Sequence, residues 1–262
     1  MNKVQTNSQT QLAYKEQGEG DVIILLHGLD GNLAGFEQLQ QMLSKTYKVI
    51  SYDMRGHGKS THQSSYELMD HVNDLKALME QLKVHKAHII GFDLGGVVAK
   101  LFTDQFACCV KSLTLIAAKQ DDLIHGFTQL LIDYQDKVAG FNKSEAYIIL
   151  FSKLFKNQES TMKWYQNQRL YSMQTEDDSA AAVRALIQYQ ADTTTINQHT
   201  CVPTLIINGK YDPLIKDKQN FPFEDYYTNV TKYVFEHSGH APHIEESDKF
   251  LEYYLEFLNK IN

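Results

Sequence analysis

Proline is nearly missing from this 262-residue chain: there are four, and none precedes Pro203. Helices before that point must end by other means, and no proline-rich linker divides the chain. Arginine is as scarce, with only Arg55, Arg169 and Arg184. That count excludes a bidentate phosphate-reading cluster. The net charge of −7 argues the same way. Neither nucleic acid nor an anionic membrane is an expected partner, because both need a basic face. Cysteine appears three times, an odd number, with Cys108 and Cys109 adjacent. A disulfide framework is therefore not expected, and a reducing, cytoplasmic setting fits better. The stretch from Met1 to Thr10 is polar, without the apolar core of a signal peptide. The solid apolar run Val22 to Leu26 is far short of a membrane span. The expected protein is a monomer or homodimer acting on a small molecule.

Apolar residues make up 43% of the chain and charged residues 22%, which is the balance of a folded domain with a sizeable core. Val22–Leu26, Val49–Tyr52, Ala87–Ile90 and Leu113–Ile116 are continuous apolar or β-branched runs. They read as central parallel strands buried on both faces. Between them Leu68, Val72, Leu75, Leu78, Met79 and Leu82 make one helical stripe, and Val97, Val98, Leu101, Phe102 and Phe106 make another. Thr10 to Gln17 reads as an edge strand with an earlier partner near Val4. Strand and helix in alternation predict an α/β fold with a doubly wound, mostly parallel sheet.

The alternation stops after Ile116. Leu123–Val138, Ser144–Phe155, Met162–Met173 and Ala180–Gln190 are helix-like, with no clear strand between them. Strands resume at Thr204–Ile207 and Tyr233–Phe235, and Glu245–Lys260 closes the chain as a helix. The predicted organisation is a core of residues 1–120 and 196–262, interrupted by a helical cap at 121–195.

The strongest local feature is Gly91-Phe-Asp93-Leu-Gly95-Gly96, set between a strand and an amphipathic helix. Glycines two before and two after a central residue are what a sharp strand-to-helix turn requires. Such a turn lifts its central side chain above the sheet at a helix N-terminus. Asp212 follows a predicted buried strand and precedes Pro213, so its carboxylate falls at a strand's C-terminal edge. His240 follows the next strand. Asp121 or Asp122, after an earlier strand, is an alternative source of the carboxylate. His237, His240 and His243 are spaced as helical metal ligands would be, but Gly239 and Pro242 argue against a helix there, and no metal is expected.

Over nearly its whole length the chain resembles the α/β-hydrolase family. Five motifs come in that family's order. They are His27-Gly28-Leu29-Asp30-Gly31, Tyr52-Asp53-Met54-Arg55-Gly56-His57-Gly58-Lys59-Ser60, the Gly91–Gly95 elbow, Asn208–Leu214 and Ser238-Gly239-His240. The resemblance implies catalytic Asp93, Asp212 and His240, with the backbone N–H groups of Leu29 and Leu94 as oxyanion hole, and no cofactor. It also implies that His240 lies within hydrogen-bond reach of both carboxylates. His27 and His57 are expected to structure their loops.

One residue departs from the commonest form of the family. Its esterases and lactonases carry Ser at the elbow, whereas this chain carries Asp93. In the family, Asp there marks epoxide hydrolases and haloalkane dehalogenases. A carboxylate is already anionic and attacks an sp³ carbon directly, giving an alkyl ester that His240 and water then cleave. The neighbours fit those subfamilies poorly: Leu94 stands where they usually have Trp, and Asp30 where they usually have Pro. Three accounts stay open at this point. The first is an esterase-like or lactonase-like lineage with Asp93 in place of Ser. The second is a true Asp-nucleophile epoxide hydrolase or dehalogenase, and the third is a non-catalytic relative that binds a small ligand. Aromatic residues of the cap, Trp164, Tyr134 and Tyr165 foremost, are expected to line an apolar pocket for a weakly polar substrate.

Overall fold

Four runs without polar alternation form the middle of the sheet: β3 (Val22–Leu26), β4 (Lys48–Tyr52), β5 (Ala87–Phe92) and β6 (Val110–Ile116). Strands covered on both faces have no solvated side to make polar. The computed structural model describes residues 1–7, 9–189, 200–216 and 227–261, apart from the side chains of 120–124 and 143–144. Asp121 and Asp122 as an alternative acid thus lie outside the described side chains. With β1 (Asn2–Gln5), β2 (Gln11–Gln17), β7 (Thr204–Gly209) and β8 (Val230–Phe235), one eight-stranded sheet forms in the order β1-β2-β4-β3-β5-β6-β7-β8. The β1/β2 and β2/β4 pairs are antiparallel, and all others are parallel. Val4 pairs with Leu12, so the edge strand is β1 and the 11–17 strand lies one place in.

Strand order reverses beside β3. The chain leaves β3 for β4 on one side and returns to β5 on the other. Loops leaving the C-terminal ends of β3 and β5 therefore diverge, and open α/β sheets bind ligands in the crevice so made. Leu26 is level with Gly91, which makes neighbours of the residues that follow each strand.

The helices of the core are α1 (Glu37–Leu43), α2 (Leu68–Gln81), α3 (Leu94–Gln105), α9 (Pro242–Glu245) and α10 (Ser247–Ile261). The last buries Phe250, Tyr254, Phe257 and Leu258, one stripe of an amphipathic helix. Between β6 and β7 come α4 (Gln120–Asp133), α5 (Gln135–Val138), α6 (Lys143–Leu154), α7 (Gln158–Tyr171) and α8 (Glu176–Gln188), a cap that is all helix among its described residues. Capping side chains here do the punctuation that proline does elsewhere. Asn142, Asn157 and Thr175 each accept a backbone N–H at a helix start. Two starts differ from the sequence reading for that reason. Apolar periodicity begins at Met162 and Ala180, but the caps set α7 and α8 going one turn earlier. Residues 190–195 of the expected cap lie outside the described residues. No described helix is long and apolar enough to cross a membrane.

Candidate active site

The elbow after β5 is tight because its glycines touch backbone. A Cβ on Gly91 would lie 2.3 Å from the Gly95 carbonyl oxygen, and one on Gly95 would lie 2.3 Å from that of Leu26. Between them Asp93 adopts φ 52, ψ −121 as the N-cap of α3. A non-glycine residue in that region costs about 1–3 kcal/mol, strain that such turns carry where a side chain must be presented.

Asp93 Oδ2 accepts a 2.7 Å hydrogen bond from the Leu29 N–H, and the Leu94 amide lies beside the same carboxylate. The side chain of Asp93 thus occupies Leu29, one of the two donors that sequence reasoning assigned to an oxyanion. Burial pushes the Asp93 carboxyl up, while nearby His240 and the two amides favour its ionised form.

Asp212 follows β7 and His240 follows β8, and these strands are paired to their ends, with Gly209 opposite Phe235. Both carboxylate oxygens of Asp212 are used. Oδ1 accepts from the Leu214 N–H at 2.8 Å, and Oδ2 accepts from His240 Nδ1 at 2.9 Å. A carboxylate only accepts here, so Nδ1 carries the proton and Nε2 is left as the basic nitrogen. Burial opposes an imidazolium at His240. The Asp212 carboxylate, then Asp93 and Glu245, outweigh it and hold His240 above its ordinary value. No hydrogen bond joins His240 to Asp93, in contrast to the sequence expectation; the Asp93 carboxylate is held by the Leu29 N–H instead.

The other histidines are structural in their geometry. Met54 N–H donates to His27 Nε2 at 3.0 Å, so His27 Nδ1 carries its proton toward the Gly28 carbonyl. Burial, with His57 beside it, lowers His27 to about 3. His57 Nδ1 bonds the Arg55 carbonyl. His243 packs against Phe36, Phe92, Trp164 and Phe250, and burial lowers it to about 3. No group of three metal-ligating side chains occurs among the described residues.

Of the expected pocket residues, Tyr165 stacks on Tyr147 with ring centroids 5.2 Å apart. The Tyr147 hydroxyl is raised by burial and by the negative field of Tyr165, Asp30 and Asp93. Trp164 lies edge-on to Phe92, but its Nε1–H is committed to the Gly35 carbonyl at 2.8 Å. Tyr134 ends α4 and packs on the same apolar core as Trp164 and Tyr165, with its ring flanked by the ammonium groups of Lys137 and Lys153.

Two buried carboxylates escaped sequence reasoning. Asp53 accepts from the N–H groups of Leu33 and Lys59 and from the Tyr171 hydroxyl, tying α7 to the loop after β4. Glu245 accepts from backbone on both sides of His240. Its signal was present: a Glu one turn after the histidine loop, behind Pro242 at a helix start.

A sequence profile described as "alpha/beta hydrolase fold" matches residues 21–247. The pimeloyl-[acyl-carrier protein] methyl ester esterase of Aliivibrio fischeri (strain MJ11) is 25% identical over 264 residues, covering 96% of this chain and 98% of that protein. Among solved structures, the enol-lactonase from Burkholderia xenovorans LB400 superimposes with a TM-score of 0.81 at 18% identity, covering 98% of this chain and 100% of that one. The Bacillus megaterium epoxide hydrolase gives 0.77 at 17%, with the same coverage.

Proposed function

The chain belongs to the alpha/beta hydrolase fold family, and from that premise we propose that Asp93 is its nucleophile and a small, weakly polar epoxide its substrate. The observation that carries this reading is the 2.7 Å bond from the Leu29 N–H to Asp93 Oδ2. In serine-type acyl transfer those donors must receive the substrate's carbonyl oxygen. Here the protein's own carboxylate takes the Leu29 donor, so an ester carbonyl meets a hole already occupied. One Asp93 oxygen is anchored and the other is left to attack.

Attack by Oδ1 on an epoxide carbon forms an O–C bond and breaks the ring C–O bond, leaving an alkoxide. The Tyr147 and Tyr165 hydroxyls, which no described residue engages, suit that oxygen as donors. The alkyl-enzyme ester then has its carbonyl oxygen, Oδ2, already on the Leu29 N–H. His240, with Nδ1 fixed by Asp212, takes a proton from water at Nε2. The hydroxide adds to the Asp93 carboxyl carbon and the bond from that carbon to Oδ1 breaks; the His240 proton passes to the departing alkoxide to give the diol, and the carboxyl proton returns to the tyrosine that donated, restoring the carboxylate. A halide leaving group is less well served, since Leu94 follows Asp93 and the Trp164 N–H is taken by Gly35.

The second reading is hydrolysis of an ester or lactone, favoured by the similarity to the methyl ester esterase. Its hole must first be cleared of Asp93. Styrene oxide and p-nitrophenyl acetate separate the two. Under the epoxide reading the unchanged protein opens styrene oxide, and Asp93→Ser abolishes this. Turnover of the acetate alone, lost in His240→Ala, sinks the epoxide reading in favour of the ester. Failure of both substrates in both proteins favours a ligand-binding relative. The three free thiols support a cytoplasmic setting.

A further inference from the structure

Glu245 lies in α9, directly after the histidine loop, and is only 7% exposed. Each of its oxygens accepts two amides. Oε1 takes the N–H groups of Gly239 (2.9 Å) and Ala241 (3.1 Å), which flank His240. Oε2 takes those of Lys156 (2.6 Å) and Asn157 (3.0 Å), where α6 gives way to α7 in the cap. Asn157 Nδ2 returns a bond to the Glu245 carbonyl, and the His240 N–H itself donates to the Leu154 carbonyl at 2.8 Å. The amides of 239, 240 and 241 are therefore all held by Glu245 or by the cap. Backbone meets backbone here: a Cβ on Gly239 would stand 2.2 Å from the Leu154 oxygen.

We propose that Glu245 is a positioning residue that locks the 154–157 junction of the cap to His240, so that this end of the cap is a fixed anchor and the base is aligned only while it is seated. Among the described residues, four side chains that titrate act on His240: Asp212 from the loop after β7, Asp93 from the elbow, and Glu245 and His243 from α9. From the cap it meets the Leu154 carbonyl. Glu245 is thus part of the negative field around the base as well as its tether.

Two variants separate field from tether. Glu245→Gln keeps the length but loses the charge, and its NH2 faces two N–H donors. Glu245→Asp keeps the charge but is one methylene too short to reach both sides. NMR titration of the His240 ring and amide exchange at Lys156 and Asn157 are the readouts, and neither needs a substrate. The inference expects the His240 midpoint to move to lower pH in Glu245→Gln and less so in Glu245→Asp. In both, the two cap amides should exchange at least about tenfold faster. Where turnover is measurable, kcat should fall more than KM rises. This last arm alone rests on the proposed role of His240 as base. Unchanged amide exchange in both variants overturns the tether. Faster exchange with an unmoved His240 midpoint in both, and unmoved kcat, reduces Glu245 to a structural latch and overturns its link to the base.

Discussion

In the sheet, Ile23, Ile24, Leu25, Val49, Ile50, Ile89 and Leu113 are sealed from solvent and surrounded by one another. The cap joins that core at Leu130, Leu150, Phe151, Leu154, Phe155 and Leu186, packs Ala181, Ala182 and Ala185 with Tyr66, and is oriented by polar bonds to the loops that carry the site. Tyr171 bonds Asp53, Asn32 bonds Gln168, Ser172 and Gln174 bond the carbonyls of Gly58 and Gly56, and Ser179 bonds Asp30. The difference separates two jobs. Apolar packing is redundant and non-directional, so it secures the platform from which Asp93, Asp212 and His240 project. Polar bonds are directional and individually replaceable, so they set where the cap sits over those residues.

If that contrast is right, core and cap substitutions should fail in different ways. Ile24→Ala should cost about 2–5 kcal/mol and lower the melting temperature strongly, while kcat well below the transition stays near that of the unchanged protein. A thermal melt paired with an assay at low temperature checks this; a large loss of kcat without loss of stability would break the contrast.

Acid should attack both regions through the buried histidines. His27 and His243 are held at about 3 against an ordinary 6.5. Between those values the unfolded chain binds more protons than the folded one, so stability falls as pH drops below 6.5. Each contributes a slope of up to about 1.4 kcal/mol per pH unit. Asp53 and Asp93, raised by burial, oppose this at the acid end. His240 has the opposite sign: its raised value stabilises below 6.5, and that contribution is lost as pH rises through its folded value. Urea midpoints at pH 7, 6 and 5 should fall in that order, and a flat series would contradict the assignment.

The smallest effect belongs to a single tether. Tyr171→Phe leaves Asp53 Oδ2 one donor short and should cost about 1–3 kcal/mol. KM should change more than kcat, since the cap shifts while Asp93, Asp212 and His240 do not. A loss of stability equal to that of Ile24→Ala would mean that the cap is core after all.

These two kinds of attachment also decided what the sequence disclosed. Val22–Leu26 and Ala87–Ile90 announce buried parallel strands because nothing polar interrupts them, and the glycines around Asp93 announce the elbow because backbone contact tolerates no Cβ. Asp212 and His240 follow from paired strands ending side by side. The extra first turns of α7 and α8 depend on Asn157 and Thr175, whose capping role competes with every other use of those residues. The hold of Leu29 on Asp93 was hidden for another reason: sequence names the hole's donors but not which oxygen fills them. Asp53 and Glu245 were hidden because a buried carboxylate is recognised by the amides around it, and amides leave no trace in residue type.

The claim that Asp93 is the nucleophile has one direct test. A single turnover of styrene oxide in H2¹⁸O, followed by peptide mass analysis, reads where the solvent oxygen goes. Hydrolysis of an alkyl-enzyme ester places ¹⁸O in the Asp93 carboxylate and leaves the diol with unlabelled oxygen from Asp93. Label in the diol with none in Asp93 would mean that water attacks the epoxide directly, and would contradict the account.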